Sequence, residues 1–288
     1  MDATEVTETP LSIPLPAEGD GAANLHCVRV GSGRAPKLAV VLHGGPGASL
    51  DYLRPQLDAL VSTDRDLFYY DQRGGGRSTL PPGWPAAGID THLADLDRVV
   101  DASRSASPAA KPALVGYSWG GLLALYYALR SPEKIARLLL LAPAPPWAEA
   151  RERIKPNMKA AAERPEAKAF VASLDRTDRR QRFASAVVGY FFDPARALEL
   201  TPFVSRERAE RAAWDSVAGY DLRPELAGLA VPTLVVHGIE DPVPIDGSRE
   251  LCRLSGATLV EIDHCGHCPF IEGSDVLFPA AKRFLSGA

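Results

Sequence analysis

Short apolar runs alternate with helically spaced segments along most of this chain, and that alternation limits the folds open to it. The runs at 38–42, 66–70, 113–117, 135–142, 233–237 and 258–262 are bounded mostly by Gly, Pro or charged residues. Near-continuous hydrophobicity over so few residues suits strands buried on both faces of a parallel sheet. Between them, 52–61, 91–104, 120–129, 248–254 and 276–285 place apolar residues at helical spacing. Strand alternating with helix predicts an α/β protein: a mostly parallel, twisted sheet flanked by helices. The opening residues, up to about Val30, are expected to add an antiparallel hairpin.

One stretch breaks the rhythm. From 143 to about 221 there is no strand pattern, but many Ala, Arg and Glu residues recur at helical spacing. The run Ala142-Pro143-Ala144-Pro145-Pro146 reads as a stiff linker leaving the sheet. The sheet pattern resumes at Val231-Pro232-Thr233. The expected division is a core domain of 1–142 and 222–288 with a helical cap, 143–221, over the C-terminal edge of the sheet. Ligands bind at that edge in open α/β folds.

Composition narrows the function classes. A formal net charge of -4 leaves no basic footprint for nucleic acid or an anionic membrane. No uninterrupted apolar stretch is long enough to span a bilayer. The start carries Asp2 and Glu5 rather than a basic segment and an apolar core, so no signal peptide is expected. A cytoplasmic enzyme is the expectation.

The strand at 113–117 runs into Gly116-Tyr117-Ser118-Trp119-Gly120-Gly121, and a helical pattern follows. A nucleophile held in a sharp strand-to-helix turn needs small residues on either side, so that strand and helix pass closely. The helix start then points free amides and a positive dipole end at developing negative charge. An incidental serine in a Gly-rich junction has the same look, so partners are required. His43-Gly44-Gly45-Pro46-Gly47 follows the strand at 38–42 and brings backbone N–H groups close to a substrate. The Gly45 and Trp119 amides are assigned as an oxyanion hole, while His43 is expected to hold the loop through its ring nitrogens.

A serine hydroxyl needs a base, and the base needs an orienting group. In this fold the acid and then the histidine follow the serine in chain order. Asp241, in the turn after the strand at 233–237, is the expected acid, with Glu240 as its neighbouring alternative. His267, leaving the strand at 258–262 and freed by Gly266 to fold back, is the expected base, with His264 as runner-up. The competing reading of His264-Cys265-Gly266-His267-Cys268 is a metal site. Its C-x-x-C has no second ligand cluster to complete it, since Cys27 and Cys252 are lone and far apart. No metal is therefore expected.

These segments resemble the α/β-hydrolase superfamily across nearly the whole chain, and more narrowly its proline iminopeptidase branch. The resemblance rests on His43-Gly44-Gly45-Pro46-Gly47, on Asp71-Gln72-Arg73-Gly74-Gly75-Gly76-Arg77-Ser78, and on Gly116-Tyr117-Ser118-Trp119-Gly120-Gly121. It implies an α/β-hydrolase fold, a triad of Ser118, Asp241 and His267, an oxyanion hole of Gly45 and Trp119, and no metal or organic cofactor. The Asp71–Ser78 segment is expected to be architectural, with Asp71 and Arg73 bracing the active-site loops.

Proline-releasing relatives hold the substrate's amino terminus with cap glutamates in an aromatic and acidic setting. That setting is not recognisable here. Glu149, Glu152, Glu163, Glu166, Glu199, Glu207, Glu210, Asp215 and Asp221 lie mostly beside Arg or Lys, as solvated helix faces do. Tyr190, Phe191 and Trp214 either line an apolar substrate pocket or pack the cap onto the sheet. The leading expectation is a serine aminopeptidase on short peptides or amino-acid amides with an N-terminal proline or other small residue. The alternative is a carboxylesterase or lactonase on small esters. From another class, the chain would be a non-catalytic ligand-binding protein that keeps the fold.

Overall fold

The computed structural model describes residues 6–108 and 110–287, so Asp2 and Glu5 lie outside the described residues. Eight strands form one sheet: β1 (Thr7–Pro14), β2 (Asn24–Gly31), β3 (Lys37–Leu42), β4 (Arg65–Tyr70), β5 (Ala113–Tyr117), β6 (Arg137–Leu141), β7 (Thr233–Gly238) and β8 (Thr258–Ile262). Their spatial order is β1-β2-β4-β3-β5-β6-β7-β8. The β1–β2 and β2–β4 pairs are antiparallel, so the expected opening hairpin is present. Every pairing from β4 across to β8 is parallel.

The continuous apolar runs feed two cores because successive strand residues face opposite ways. Val40, Leu42, Phe68, Leu114 and Leu140 join one core with helices α1 (Ile89–Ala106) and α2 (Trp119–Arg130). Ala39, Val41, Leu67, Val115 and Leu139 join the other. Leu93, Leu96, Val99 and Val100 form the buried stripe of α1. Each such side chain contributes about 1.5–3 kcal/mol on burial.

The helix expected over 52–61 is instead a pair of 3-10 turns, Leu50–Leu53 and Gln56–Leu60. Pro55 lies between them. It brings no N–H, and it disfavours helical backbone in the residue before it. Arg54 is accordingly extended, at φ -107° and ψ 147°.

After β6 the chain runs through α3 (Ala148–Glu152), α4 (Ile154–Ala162), α5 (Pro165–Ser173), α6 (Arg179–Val187) and α7 (Glu207–Asp215) before β7. No strand of the sheet lies in this excursion among its described residues. Its two ends meet: Ala148 N donates to Tyr220 O at 2.8 Å and Leu222 N to Pro146 O at 2.8 Å. The excursion touches the loops that follow β3, β5, β7 and β8, all at the C-terminal edge of the sheet. Ser205 Oγ donates to Pro46 O at 3.1 Å, and Asn157 Nδ2 to Pro242 O at 3.0 Å. Tyr190 O accepts from His267 N at 2.6 Å. The chain closes with α8 (Ile245–Ser255), α9 (Pro269–Glu272) and α10 (Ser274–Ser286). Leu277, Ala281 and Leu285 of α10 pack into the second core. Among the described residues no helix is long and apolar enough to cross a membrane.

Candidate active site

Ser118 stands between β5 and α2 at φ 53° and ψ -119°, a conformation that residues with a side chain rarely adopt. The turn is held from three sides: Ser118 N donates to Leu141 O at 3.0 Å, and Ser118 O accepts from Gly121 N at 2.9 Å and Ala144 N at 3.0 Å. The glycines are required by contact. A Cβ on Gly116 would stand 2.7 Å from Gly121 Cα, and one on Gly120 would collide with the Leu42 and His43 carbonyl oxygens.

The loops after β7 and β8 bring the two expected partners to this serine. His267 Nε2 lies 3.1 Å from Ser118 Oγ, and His267 Nδ1 lies 2.9 Å from Asp241 Oδ2. Asp241 Oδ1 accepts Val243 N at 2.7 Å. Burial alone would raise the Asp241 pKa. The nearby imidazoles of His267 and His237 and their hydrogen bonds outweigh it, leaving the carboxyl below its ordinary range. The alternatives fall elsewhere. Glu240 Oε2 accepts Cys265 N at 3.1 Å, and exposed His264 stacks on Phe192 with ring centroids 5.0 Å apart.

The glycine loop after β3 faces the same serine. The Gly44 amide is taken, donating to the Tyr52 hydroxyl at 2.6 Å. Gly45 turns at φ 50°. Among the described residues neither the backbone N–H of Gly45 nor that of Trp119 donates to a protein acceptor, which leaves both for an incoming oxygen. His43 is fully buried: Nδ1 meets Gly44 O at 2.9 Å, and Nε2 accepts Gln72 N at 3.0 Å. Burial holds its pKa below the usual value, and the two hydrogen bonds fix the tautomer with the proton on Nδ1.

Gln72 was not singled out by sequence. Its side chain donates to His43 O at 2.7 Å and accepts from the Trp119 indole at 2.9 Å, tying the glycine loop to the residue after Ser118. Asp71 braces neighbouring loops through Leu50 N at 2.7 Å and Arg77 N at 2.8 Å. Arg73 braces the loop after β4 from the other side. Its fork grips Asp95 of α1 at 2.7 Å and Glu18 at 2.6 Å, because a guanidinium buried to this degree takes carboxylate partners.

The aromatic residues divide. The Tyr190 ring stands edge-on to His267 with centroids 5.4 Å apart. Burial pushes its phenol up to about 12, with Cys268, Glu210 and Asp241 adding to the effect. Phe191 does not line a pocket at the serine: it is 1% exposed and packs in the second core. The backbone at 191 is extended (φ -113°, ψ 142°), so neighbouring side chains point oppositely. Trp214 packs edge-on against Trp119 at 4.7 Å, with the Arg151 guanidinium 4.8 Å over its ring. It joins the excursion to α2.

Glu272 is a second residue that sequence did not flag. Its carboxylate accepts N–H groups from Gly266 at 2.8 Å, Asp193 at 2.8 Å and Phe192 at 3.2 Å, tying the His267 loop to the excursion. Burial raises its pKa despite these bonds. Cys265 and Cys268 are buried free thiols, both pushed upward by burial. Among the described residues no group of three or more His, Cys, Asp or Glu gathers as a metal site.

Comparison with known proteins places this geometry. A family model described as alpha/beta hydrolase fold matches residues 39–274. A proline iminopeptidase of Levilactobacillus brevis is 30% identical over 281 residues, covering 84% of this chain and 86% of its own. One from Lactobacillus delbrueckii subsp. bulgaricus is 27% identical over 263 residues, covering 83% and 85%. The crystal structure of the enol-lactonase from Burkholderia xenovorans LB400 superposes with a TM-score of 0.65 at 26% identity, over 92% of this chain and 97% of that one.

Proposed function

The chain belongs to the alpha/beta hydrolase fold family and is proline iminopeptidase-like, and from that premise we propose that it is a serine hydrolase acting through an acyl-enzyme on Ser118. The observation that carries this reading is the continuous relay from Ser118 Oγ to His267 (3.1 Å) and on to Asp241 (2.9 Å). His267 Nε2 takes the hydroxyl proton as Oγ attacks a carbonyl carbon. The Gly45 and Trp119 amides receive the oxyanion, backed by the positive end of α2. Each such amide is worth about 2.7–4 kcal/mol of transition-state stabilisation. Asp241 fixes the His267 tautomer and stabilises the imidazolium, which then protonates the leaving group. Water, deprotonated by His267, releases the acyl group from Ser118.

The substrate we propose is a short peptide or amino-acid amide with an N-terminal proline or other small residue. Glu210 supports this choice. Glu199, Glu207 and Asp221 pair with Arg196, Arg211 and Arg223. Glu210, half-buried, makes no ion pair among the described residues and has only the Ser205 hydroxyl, at 3.0 Å. Its charge reaches the Tyr190 phenol, whose ring abuts His267. A carboxylate so placed suits a substrate ammonium group. In this reading residues 143–221 form a cap that supplies selectivity to a core of 1–142 and 222–288, and the enzyme works in the cytoplasm.

The second reading, a carboxylesterase or lactonase, is favoured by the likeness to the enol-lactonase. A panel of proline arylamide and short-chain p-nitrophenyl esters separates the two. Ester turnover without aminopeptidase activity would sink the peptide reading. A fluorophosphonate probe should label the wild-type chain and not Ser118→Ala; an unlabelled wild type would leave only a non-catalytic ligand-binding role.

A further inference from the structure

Asp241 faces two imidazoles. His237, near the end of β7, is fully buried. Its Nε2 hydrogen-bonds the Val243 carbonyl at 3.1 Å and stands 3.0 Å from Asp241 Oδ2, the oxygen that also holds His267. Both neighbours of that nitrogen are acceptors only, so it carries the proton. Its Nδ1 then accepts from the buried Ser248 hydroxyl at 2.7 Å. Val243 in turn donates its N–H to Asp241 Oδ1 at 2.7 Å. His237 thus meets the acid twice, by a 3.0 Å contact at one oxygen and through the Val243 peptide at the other.

Resting on the serine-hydrolase reading above, we propose that His237 is a positioning residue for the acid of the relay, sharing Asp241 Oδ2 with His267 and setting how strongly the carboxylate pulls on that imidazole. An N–H at Oδ2 drains basicity from the oxygen. The carboxylate then orients His267 while binding its imidazolium less tightly. The other charges near His237 are already engaged. Glu261, opposite it on β8, pairs with Arg249 of α8 at 2.7 Å. Asp246 of α8 pairs with Arg153 at 2.5 Å, and Glu240 holds Cys265 N.

The test first labels wild type and Ser118→Ala with a fluorophosphonate. It then compares kcat/KM against pH for His237→Leu and His237→Gln on an acyl substrate that the wild type turns over. The leucine variant should lose about tenfold in kcat/KM, mainly in kcat. Its acid limb should move to higher pH by about half a unit, because the unshared carboxylate favours protonated His267. Glutamine restores an N–H donor and should recover most of the rate and the original limb. A labelled enzyme whose leucine variant keeps an unshifted limb, or whose glutamine variant recovers nothing, overturns this inference alone. A wild type that does not label at Ser118 overturns it together with the hydrolase reading. If the leucine variant does not fold, 15N-histidine spectra of the wild type decide. An Nε2–H tautomer of His237 that persists while His267 titrates supports the inference, and an Nδ1–H tautomer overturns it.

Discussion

At φ 53° Ser118 holds a backbone conformation that its own side chain disfavours, a cost of about 1–3 kcal/mol that the surrounding hydrogen bonds sustain. Ser118→Gly should therefore raise stability by about 1 kcal/mol in denaturant unfolding. Activity should fall by about three orders of magnitude or more. Ser118→Ala should lose the activity without the gain, since a Cβ remains. A second residue-scale consequence lies at His92. Burial, helped by His43 and Arg73, lowers its pKa from 6.5 to about 3. Between those values the unfolded chain binds a proton that the folded chain does not. Its contribution to stability is thus fully present above the unfolded value and declines as pH falls, by about 1.4 kcal/mol per unit. Thermal midpoints from about pH 7 to about pH 5 should fall less steeply in His92→Phe than in wild type. Ser118, Asp241 and His267 were legible because each sits at a strand end inside a short local pattern. Gln72, Tyr52 and Glu272 were not. Their roles arise from contacts with residues distant in sequence, and no local spacing encodes those.

Between elements, α2 packs tightly against β5 and the end of β3. A methyl group at Gly120 would collide with the Leu42 and His43 carbonyls, which belong to the strand next door and the glycine loop. Gly120→Ala should cost about 3 kcal/mol and disturb the oxyanion loop together with the nucleophile, seen as a lower melting point with a lower kcat. The buried Arg73–Asp95 pair fastens the loop after β4 to α1. Asp95→Ala leaves a buried guanidinium with only Glu18, and should cost about 3–5 kcal/mol by chemical denaturation. The strands were readable as elements because burial on both faces demands unbroken apolar runs. The segment after the glycine loop misled because its apolar spacing is helical while Pro55 breaks the ladder. For Phe191 packing is the outcome of the two readings: the chain leaves a 3-10 turn at Tyr190 and becomes extended at Phe191, so the Phe191 ring enters the core while the Tyr190 ring meets His267.

For the molecule as a whole, the proposed function divides chemistry and selectivity between two layers. The sheet edge holds the relay from Ser118 to Asp241, and the excursion between β6 and β7 supplies Tyr190, Trp214 and Glu210. Glu210→Gln should raise KM for a proline arylamide about tenfold and lower the ratio of amide to ester kcat/KM, as read from parallel steady-state assays. The excursion's helical character was evident from its composition. That Glu210 acts on the Tyr190 phenol beside His267 was not, because that depends on how the helices pack. The main-chain bonds that join Ala148 to Tyr220 and Leu222 to Pro146 give the excursion a narrow neck. To the sheet, some seventy residues of chain enter and leave as one tight turn would. On the proposed function, such a neck lets the excursion be exchanged as a unit. A relative's insert spliced at Pro146 and Leu222 should carry its own substrate preference onto this unchanged nucleophile.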